Sequence, residues 1–319
     1  MKEILNKIQS IGIIPVLEIE NIEDSIEVAK ALCDGGLPIV EVTFRTEGAE
    51  KAIKIMSENN KDMIVGAGTV INKEQVDLAV AANAQFIVSP GVNTEIIKYC
   101  KEKNILIIPG VSNASDIEAA ISCGIEVVKF FPSELSGGIK MINALSAPYN
   151  KIKFIPTGGI NENNMNSYLE NPKILACGGS WMVNKQIIKA KEFTKIKEIC
   201  KKTVSKMLCM KIKHIGINAE TEGRSVAEEF ASLLQSDISE TPKGYFAGSL
   251  IEIMNPGNHK GTKGHIALGV SSSSRAKRYF ESLGYKFDET TTTYDVNGYV
   301  NFVYFKDEFA GFGVHLVNN

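Results

Sequence analysis

Histidine is scarce, with four in 319 residues, and none precedes His214. Acid–base or covalent chemistry in the first two thirds therefore falls to Lys, Glu or Cys. The six cysteines (33, 100, 123, 177, 200 and 209) include no C-x-x-C pair. That argues against a disulfide framework and for buried free thiols in a reducing, cytoplasmic setting. No charge of one sign dominates: 35 basic against 37 acidic side chains leave a net charge of −2. A nucleic acid or an anionic membrane needs a concentrated basic surface, so neither is expected as a partner. No apolar run approaches the ~18 residues of a membrane span, and MKEILNKIQS lacks the apolar core of a secretory leader. The bulk is ordinary, 44% apolar and 23% charged. At about 150 residues per domain, the length suggests two domains.

Up to about residue 190, short β-branched runs alternate with amphipathic stretches. The runs are GIIPVLEI (12–19), PIVEVTF (38–44), MIVGAGTV (63–70), QFIVSP (85–90), ILIIPGV (105–111), EVVKFFP (126–132), KFIPTGG (153–159) and ILACGGS (174–180). Runs this apolar read as strands buried on both faces of a parallel sheet. Helices fall between them, for instance over 22–36, with Ile22, Ile26, Ala29 and Cys33 on one face, and over 73–84. Eight strand–helix units in about 190 residues favour an α/β fold closed into a (β/α)8 (TIM) barrel. An open dinucleotide-binding sheet would need G-x-G-x-x-G after its first strand, and GIIPVLEI does not supply it. The domains expected are a barrel over 1–190, a Lys-rich helical connector over 191–210 with a solvated charged face, and a second domain over 211–319.

Active sites of such barrels gather where strands end. The polar residues there are Glu41 and Arg45, Thr69, Ser89, Lys129, Thr157 and Ser180, with Pro90 and the pairs Gly158-Gly159 and Gly178-Gly179. Lys129 stands out because EVVKFFP contains almost nothing else polar. It reads either as an ion-paired structural lysine or as a nucleophile activated by desolvation and a nearby cation. Glu41 and Arg45, four apart, share a strand face if the strand runs that far; otherwise Arg45 lies just past it, at the mouth. Together the three suit a lysine that attacks a ketone, an arginine that binds a carboxylate and a glutamate that shuttles protons. The glycine pairs let backbone N–H groups approach an anion, although such pairs also serve as plain turns.

GIIPVL, EVTFRT, VGAGTV, FIVSPG, PGV, KFFP, PTGGI and GGSWMV occur in this order. The set, over roughly residues 1–185, strongly resembles the class I 2-keto-3-deoxy-6-phosphogluconate (KDPG) and 4-hydroxy-2-oxoglutarate (KHG) aldolases. The resemblance implies cleavage of a 2-keto-4-hydroxy acid, a small-molecule substrate, to pyruvate plus glyceraldehyde 3-phosphate or glyoxylate, with no cofactor. It implies Lys129 as the Schiff-base lysine and Glu41 as general acid/base. Arg45, Thr69, Pro90 and Thr157 would hold the pyruvate moiety, and Gly158, Gly159, Gly179 and Ser180 the phosphate. It also implies a homotrimer. Many relatives have a basic residue where this chain has Glu18, and a carboxylate pointing into the mouth would oppose an anionic substrate tail.

From residue 211 the pattern changes to alternating strands. KIKHIGINAE, a helix (SVAEEFASLLQ) and strands near YFAGSLIEIMN are followed by GHIALGVS, a helix (SRAKRYFESLGYKF), TTYDVNGYVNFVYF and AGFGVHLVN. This reads as a repeated β-α-β-β unit, an internal duplication that usually means two modules packed on each other. The half resembles the vicinal oxygen chelate (glyoxalase-like) superfamily, an α+β fold of paired βαβββ modules whose first and last strands carry metal ligands. Those positions here are His214, Glu252, His265 and His315, while His259 falls in a loop. Histidine and carboxylate suit a divalent metal such as Zn, Ni, Fe or Mn. Relatives commonly have Glu where this chain has His315. Four readings compete: an aldolase; a metal-dependent isomerase or lyase centred on the tail; a tail that only binds a ligand or steadies a trimer; and a decarboxylase or epimerase on the same phosphate-binding barrel, weakened because Lys129 stands where such enzymes tend to place an acidic base.

Overall fold

The computed structural model describes residues 1–257 and 259–319, and the chain divides into two compact units, Met1–Met207 and Leu208–Asn319.

The first unit opens with helix α1 (Lys2–Ile11), which no strand-and-helix alternation announces. Its strands are β1 (Ile13–Leu17), β2 (Ile39–Thr43), β3 (Ile64–Gly68), β4 (Phe86–Val88), β5 (Leu106–Ile108), β6 (Gly110–Val111), β7 (Val127–Phe130), β8 (Lys153–Pro156) and β9 (Cys177–Gly179). All the pairings are parallel: β5-β4-β3-β2-β1-β9 form one ladder and β6-β7-β8 another. Proline has no N–H to give a ladder, and Pro109 separates β5 from β6 at one staggered position. Bridges Phe154↔Ile174 and Thr157↔Gly178 join β8 to the β9 side. The ring therefore closes through eight positions. Its wall is apolar throughout, with Ile13, Val40, Val65, Phe86, Ile87, Val128 and Phe154 wholly buried.

Around it run α2 (Ser25–Asp34), α3 (Ala49–Asn59), α4 (Lys73–Ala81), α5 (Thr94–Glu102), α6 (Ala114–Ser122), α7 (Gly138–Ser146) and the short α8 (Met165–Leu169) and α9 (Lys185–Lys189). Asparagine starts four of them by accepting N–H bonds at the first turn: Asn72 from Gln75, Asn93 from Ile96, Asn113 from Asp116 and Asn184 from Gln186. Helix α2 buries Val28, Ala29, Ala31 and Leu32, whereas Ile26 is exposed and Cys33 half-buried. This corrects the face expected from the sequence. A 3-10 turn over Ile22–Asp24 precedes the α-helix and shifts the angular count. The Lys-rich stretch is likewise two helices, α9 and α10 (Phe193–Leu208), broken where Lys191 takes a left-handed φ of 55°. Helix α10 buries Ile196, Cys200, Val204 and Met207 along one stripe. Gly35 makes the close approach to that stripe, since a Cβ there would lie 2.3 Å from the Cys200 Cβ.

Among its described residues the second unit holds one eight-stranded sheet and two helices. Its elements are β10 (Lys211–Asn218), α11 (Gly223–Leu234), β11 (Ile238–Thr241), β12 (Gly244–Ala247), β13 (Ile251–Met254), β14 (Gly264–Val270), α12 (Ser273–Ser282), β15 (Phe287–Tyr294), β16 (Val300–Phe305) and β17 (Phe312–Asn318). Each half is a βαβββ module. The order β11-β12-β13-β10-β14-β17-β16-β15 places the first strands of the two modules side by side and antiparallel. Each first strand also pairs in parallel with the last strand of its own module. The two halves thus repeat about the β10–β14 seam.

Candidate active site and a histidine cluster

Two buried charges face each other inside the barrel. Lys129 on β7 is 5% exposed and Glu41 on β2 is 3% exposed. Lys129 Nζ donates to Glu41 Oε1 at 3.0 Å. The Lys129 ammonium also lies 5.4 Å from the centroid of the Phe131 ring. A charge pair this dry persists because each partner satisfies the other. It also gives the proton that a nucleophilic lysine must lose an acceptor within reach.

Next to this pair opens a cavity of about 620 Å3, lined among others by Thr43, Arg45, Phe131, Thr157, Gly158, Gly159, Gly179 and Ser180. Strand β2 ends at Thr43, and Arg45 stands in the following turn, at the cavity wall. Thr157 Oγ1 is buried and has no hydrogen-bond partner. That oxygen faces Gly178, where a Cβ would lie 2.3 Å from it, and Thr157 as a residue lines the cavity. Gly158 and Gly159 take φ of 93° and 83°, the left-handed region that favours glycine. Gly179 is small for another reason: a Cβ there would lie 1.9 Å from the Trp181 ring.

Of the residues singled out from the sequence, Arg45, Thr157, Gly158, Gly159, Gly179 and Ser180 line this cavity, and Lys129 with Glu41 form the buried pair. Thr69 and Pro90 follow β3 and β4 and are not among the lining residues. Thr69 is half-buried with a φ of 58°, and Pro90 is exposed. Ser89 spends its hydroxyl on the Gly91 carbonyl at 2.8 Å. The sequence reading passed over Phe131, Thr43, Lys185 and Lys189. Phe131 was visible as the residue two past Lys129 in the same run. Lys185 lies only five residues past Ser180, masked by the general lysine richness of that stretch.

Glu18 does reach the cavity, but not as a bare charge. Lys185 Nζ sits 2.5 Å from its Oε1. The expected conflict with an anionic tail is offset by a cation 167 residues away in sequence.

A dry lysine–glutamate pair beside an anion-friendly cavity, inside a closed parallel barrel, defines a lysine-dependent barrel enzyme. A family model described as KDPG and KHG aldolase matches residues 4–199. The 2-dehydro-3-deoxy-phosphogluconate aldolase of Treponema pallidum (strain Nichols) is 45% identical over 204 residues, 64% of this chain and 97% of its own length. The enzyme of the same name from Haemophilus influenzae is 42% identical over 203 residues, 64% of this chain and 96% of its own. Among solved structures, the Legionella pneumophila KDPG aldolase, with pyruvate captured as a covalent carbinolamine intermediate, is similar at 38% identity and a TM-score of 0.61. That match covers 62% of this chain and 97% of that one. The chain belongs to the KDPG and KHG aldolase family. It is a carbon–carbon lyase, a class I aldolase.

The second unit holds a separate cluster. His214, His265 and His315 place one ring nitrogen each within 4.8 Å of one another. Glu252 Oε2 is 3.1 Å from His265 Nε2 and 3.4 Å from His214 Nε2. Sheet register explains the convergence. Gly216 pairs with both Glu252 and His265, and Ala267 pairs with both His214 and His315. Residues two apart share a face, so the four side chains occupy adjacent rows separated by small residues. Gly216 is one of these by need, since a Cβ there would lie 2.0 Å from the His265 ring. Burial, with His265 and His214 alongside, pushes His315 down to about 3, and burial likewise lowers His214. Burial works to raise Glu252, but the hydrogen bond and charge of His265 outweigh it and hold the carboxyl below its ordinary range. The His315 Nδ1 is buried without a partner. Imidazole nitrogens with a carboxylate oxygen among them are donors that a divalent ion takes, so this set fits one. His259 stays outside the cluster, 2.6 Å from the Asn255 carbonyl.

Proposed function

We propose that the barrel cleaves a 2-keto-4-hydroxy acid, KDPG or KHG, to pyruvate and an aldehyde, through a Schiff base on Lys129. The observation that carries this is the buried contact of 3.0 Å between Lys129 Nζ and Glu41 Oε1. Lys129 passes a proton to Glu41 and adds through its amine lone pair to the C2 ketone. Glu41 returns that proton to the departing hydroxide, which leaves as water and gives the iminium. Glu41, a carboxylate again, takes the C4 hydroxyl proton; the aldehyde forms and C3–C4 breaks, the electron pair passing to the iminium nitrogen. Glu41 then gives that proton to C3 of the enamine, and water releases pyruvate and returns Lys129 as its ammonium. Arg45 binds the keto-acid carboxylate, and Thr157 lies beside the same moiety. Thr69 and Pro90 close its far rim, and the glycine pairs with Ser180 receive a phosphate. This family's reaction needs no metal cofactor. The test is borohydride reduction with pyruvate, followed by peptide mass spectrometry. A pyruvyl adduct on Lys129 is expected, and its absence from folded protein would overturn the assignment.

The tail's cluster supports a second reading, a divalent-metal site of the vicinal oxygen chelate type on His214, Glu252, His265 and His315. Zn, Ni, Fe or Mn bound there would supply Lewis acidity toward a ligand with two adjacent oxygens. His214 and His265 would offer Nε2 and Glu252 a carboxylate oxygen, while the neutral His315 ring completes the set. On this reading residues 1–190 and 211–319 are separate functional units, joined by 191–210. A homotrimer and a cytoplasmic setting belong to the same proposal. The free cysteines support the second of these, and light scattering of the purified chain tests the first. No helix among the described residues is long and apolar enough to cross a membrane.

A further inference from the structure

Glu18, Arg45, Lys185 and Lys189 are the charged side chains that line the barrel cavity. Glu18 and Lys185 form a pair at 2.5 Å. Lys189 is held by Glu20, outside the cavity lining, at 2.9 Å. An ammonium has three donors. Lys185 spends one on Glu18, and its distance of 3.7 Å from Glu20 is too long for a second hydrogen bond. It therefore keeps donors for something else on the same cavity that Gly158, Gly159, Gly179 and Ser180 line.

The backbone that carries Lys185 is fixed rather than free. Trp181 packs on Gly179 and donates its indole N–H to Thr203 Oγ1 at 3.1 Å. The Asn184 side chain accepts the Gln186 N–H at 2.8 Å. A tethered cation beside backbone N–H groups in left-handed glycines is a built recognition point for a multiply charged anion. Lys189 is the weaker candidate, because its ammonium is already engaged outside.

We propose that Lys185 is a specificity-determining residue of the aldolase. It donates to the terminal phosphate of the substrate while masking Glu18. This rests on the aldolase reading above and adds to it the group that selects a phosphorylated chain.

The test compares KDPG with 2-keto-3-deoxygluconate, the same chain without its phosphate, in wild type, Lys185→Gln, Lys185→Arg and the double variant Glu18→Gln/Lys185→Gln. A charged hydrogen bond lost at this point predicts a KM for KDPG raised ~10-fold or more in Lys185→Gln. The preference for KDPG should fall by the same factor, and the Ki of inorganic phosphate should rise. Lys185→Arg should recover most of the preference, and the double variant should stay defective. Full recovery in the double variant would show that Lys185 acts only by masking Glu18, and would overturn direct binding. An unchanged preference in Lys185→Gln would overturn the proposal outright. Pyruvate trapping on Lys129 in the same samples keeps the two readings apart. Its failure in wild type sinks the aldolase assignment, whereas normal trapping with an unchanged preference sinks only Lys185.

Discussion

Gly68 leaves the space that Glu41 occupies: a Cβ on Gly68 would lie 2.3 Å from Glu41 Oε1 and 2.6 Å from its Cγ. They lie on the same face of the β2–β3 ladder, two positions out of register: Glu41 pairs with Gly66 and Gly68 with Thr43. Gly68→Ala should therefore push the carboxylate off Lys129 without removing either reacting group. A loss of kcat on the order of 10²-fold is expected, comparable to losing a general acid–base, with an unchanged far-UV spectrum. Steady-state kinetics beside circular dichroism check it, and wild-type kcat would refute the steric argument.

Lys129→Ala should abolish turnover and also weaken the fold, because it strands a buried carboxylate. Breaking such a pair costs about 3–5 kcal/mol. Adding Glu41→Leu should recover most of that stability and none of the activity. Urea unfolding of the two variants separates the roles, and equal stability of Lys129→Ala and wild type would contradict the burial argument.

Burial pushes the Tyr168 hydroxyl up to about 12, aided by its hydrogen bond to Glu134. Its folded pKa is thus above the ordinary value near 10. The resulting stability is fully present below pH 10 and is lost as pH climbs from about 10 toward 12. Melting temperatures between pH 8 and 11 should fall more steeply for wild type than for Tyr168→Phe. Parallel slopes would show that Tyr168 does not couple to folding.

Zn(II) titrated into the full chain should fill one site in the tail. Replacing His265 or His315 by Ala should weaken it by at least ~10-fold, the least that loss of a ligand's support costs. EDTA should leave aldolase turnover intact. Isothermal calorimetry decides the first point, and equal affinity in both variants would remove the cluster from consideration.

The barrel was readable because its strands are apolar on both faces and each ends in a residue type that chemistry singles out. Lys129 was conspicuous against EVVKFFP for that reason. The closeness of Glu41 follows from ring closure, which brings residues 88 apart into contact. Less was legible where contacts are distant or polar. Nothing near Glu18 in sequence announces Lys185. Strand β11 went unseen because ISET is polar and largely exposed, and it is a strand only through pairing with β12. The broken Lys-rich helix hinges on one left-handed residue, Lys191, of a type with no special preference for that conformation. In the tail, the duplicated histidines were visible, but their spacing by Gly216 and Ala267 is a matter of register.

The repeat about the β10–β14 seam is imperfect at one pair of corresponding positions: Glu252 on one side answers to His315 on the other. Because both halves belong to one polypeptide, each could change without its twin. The inequality has an electrical meaning. A divalent ion held by three neutral imidazoles and one carboxylate keeps one unit of positive charge, which a second carboxylate at position 315 would cancel. On the metal-site proposal, a tail holding such an ion would favour anionic guests through a single asymmetric residue.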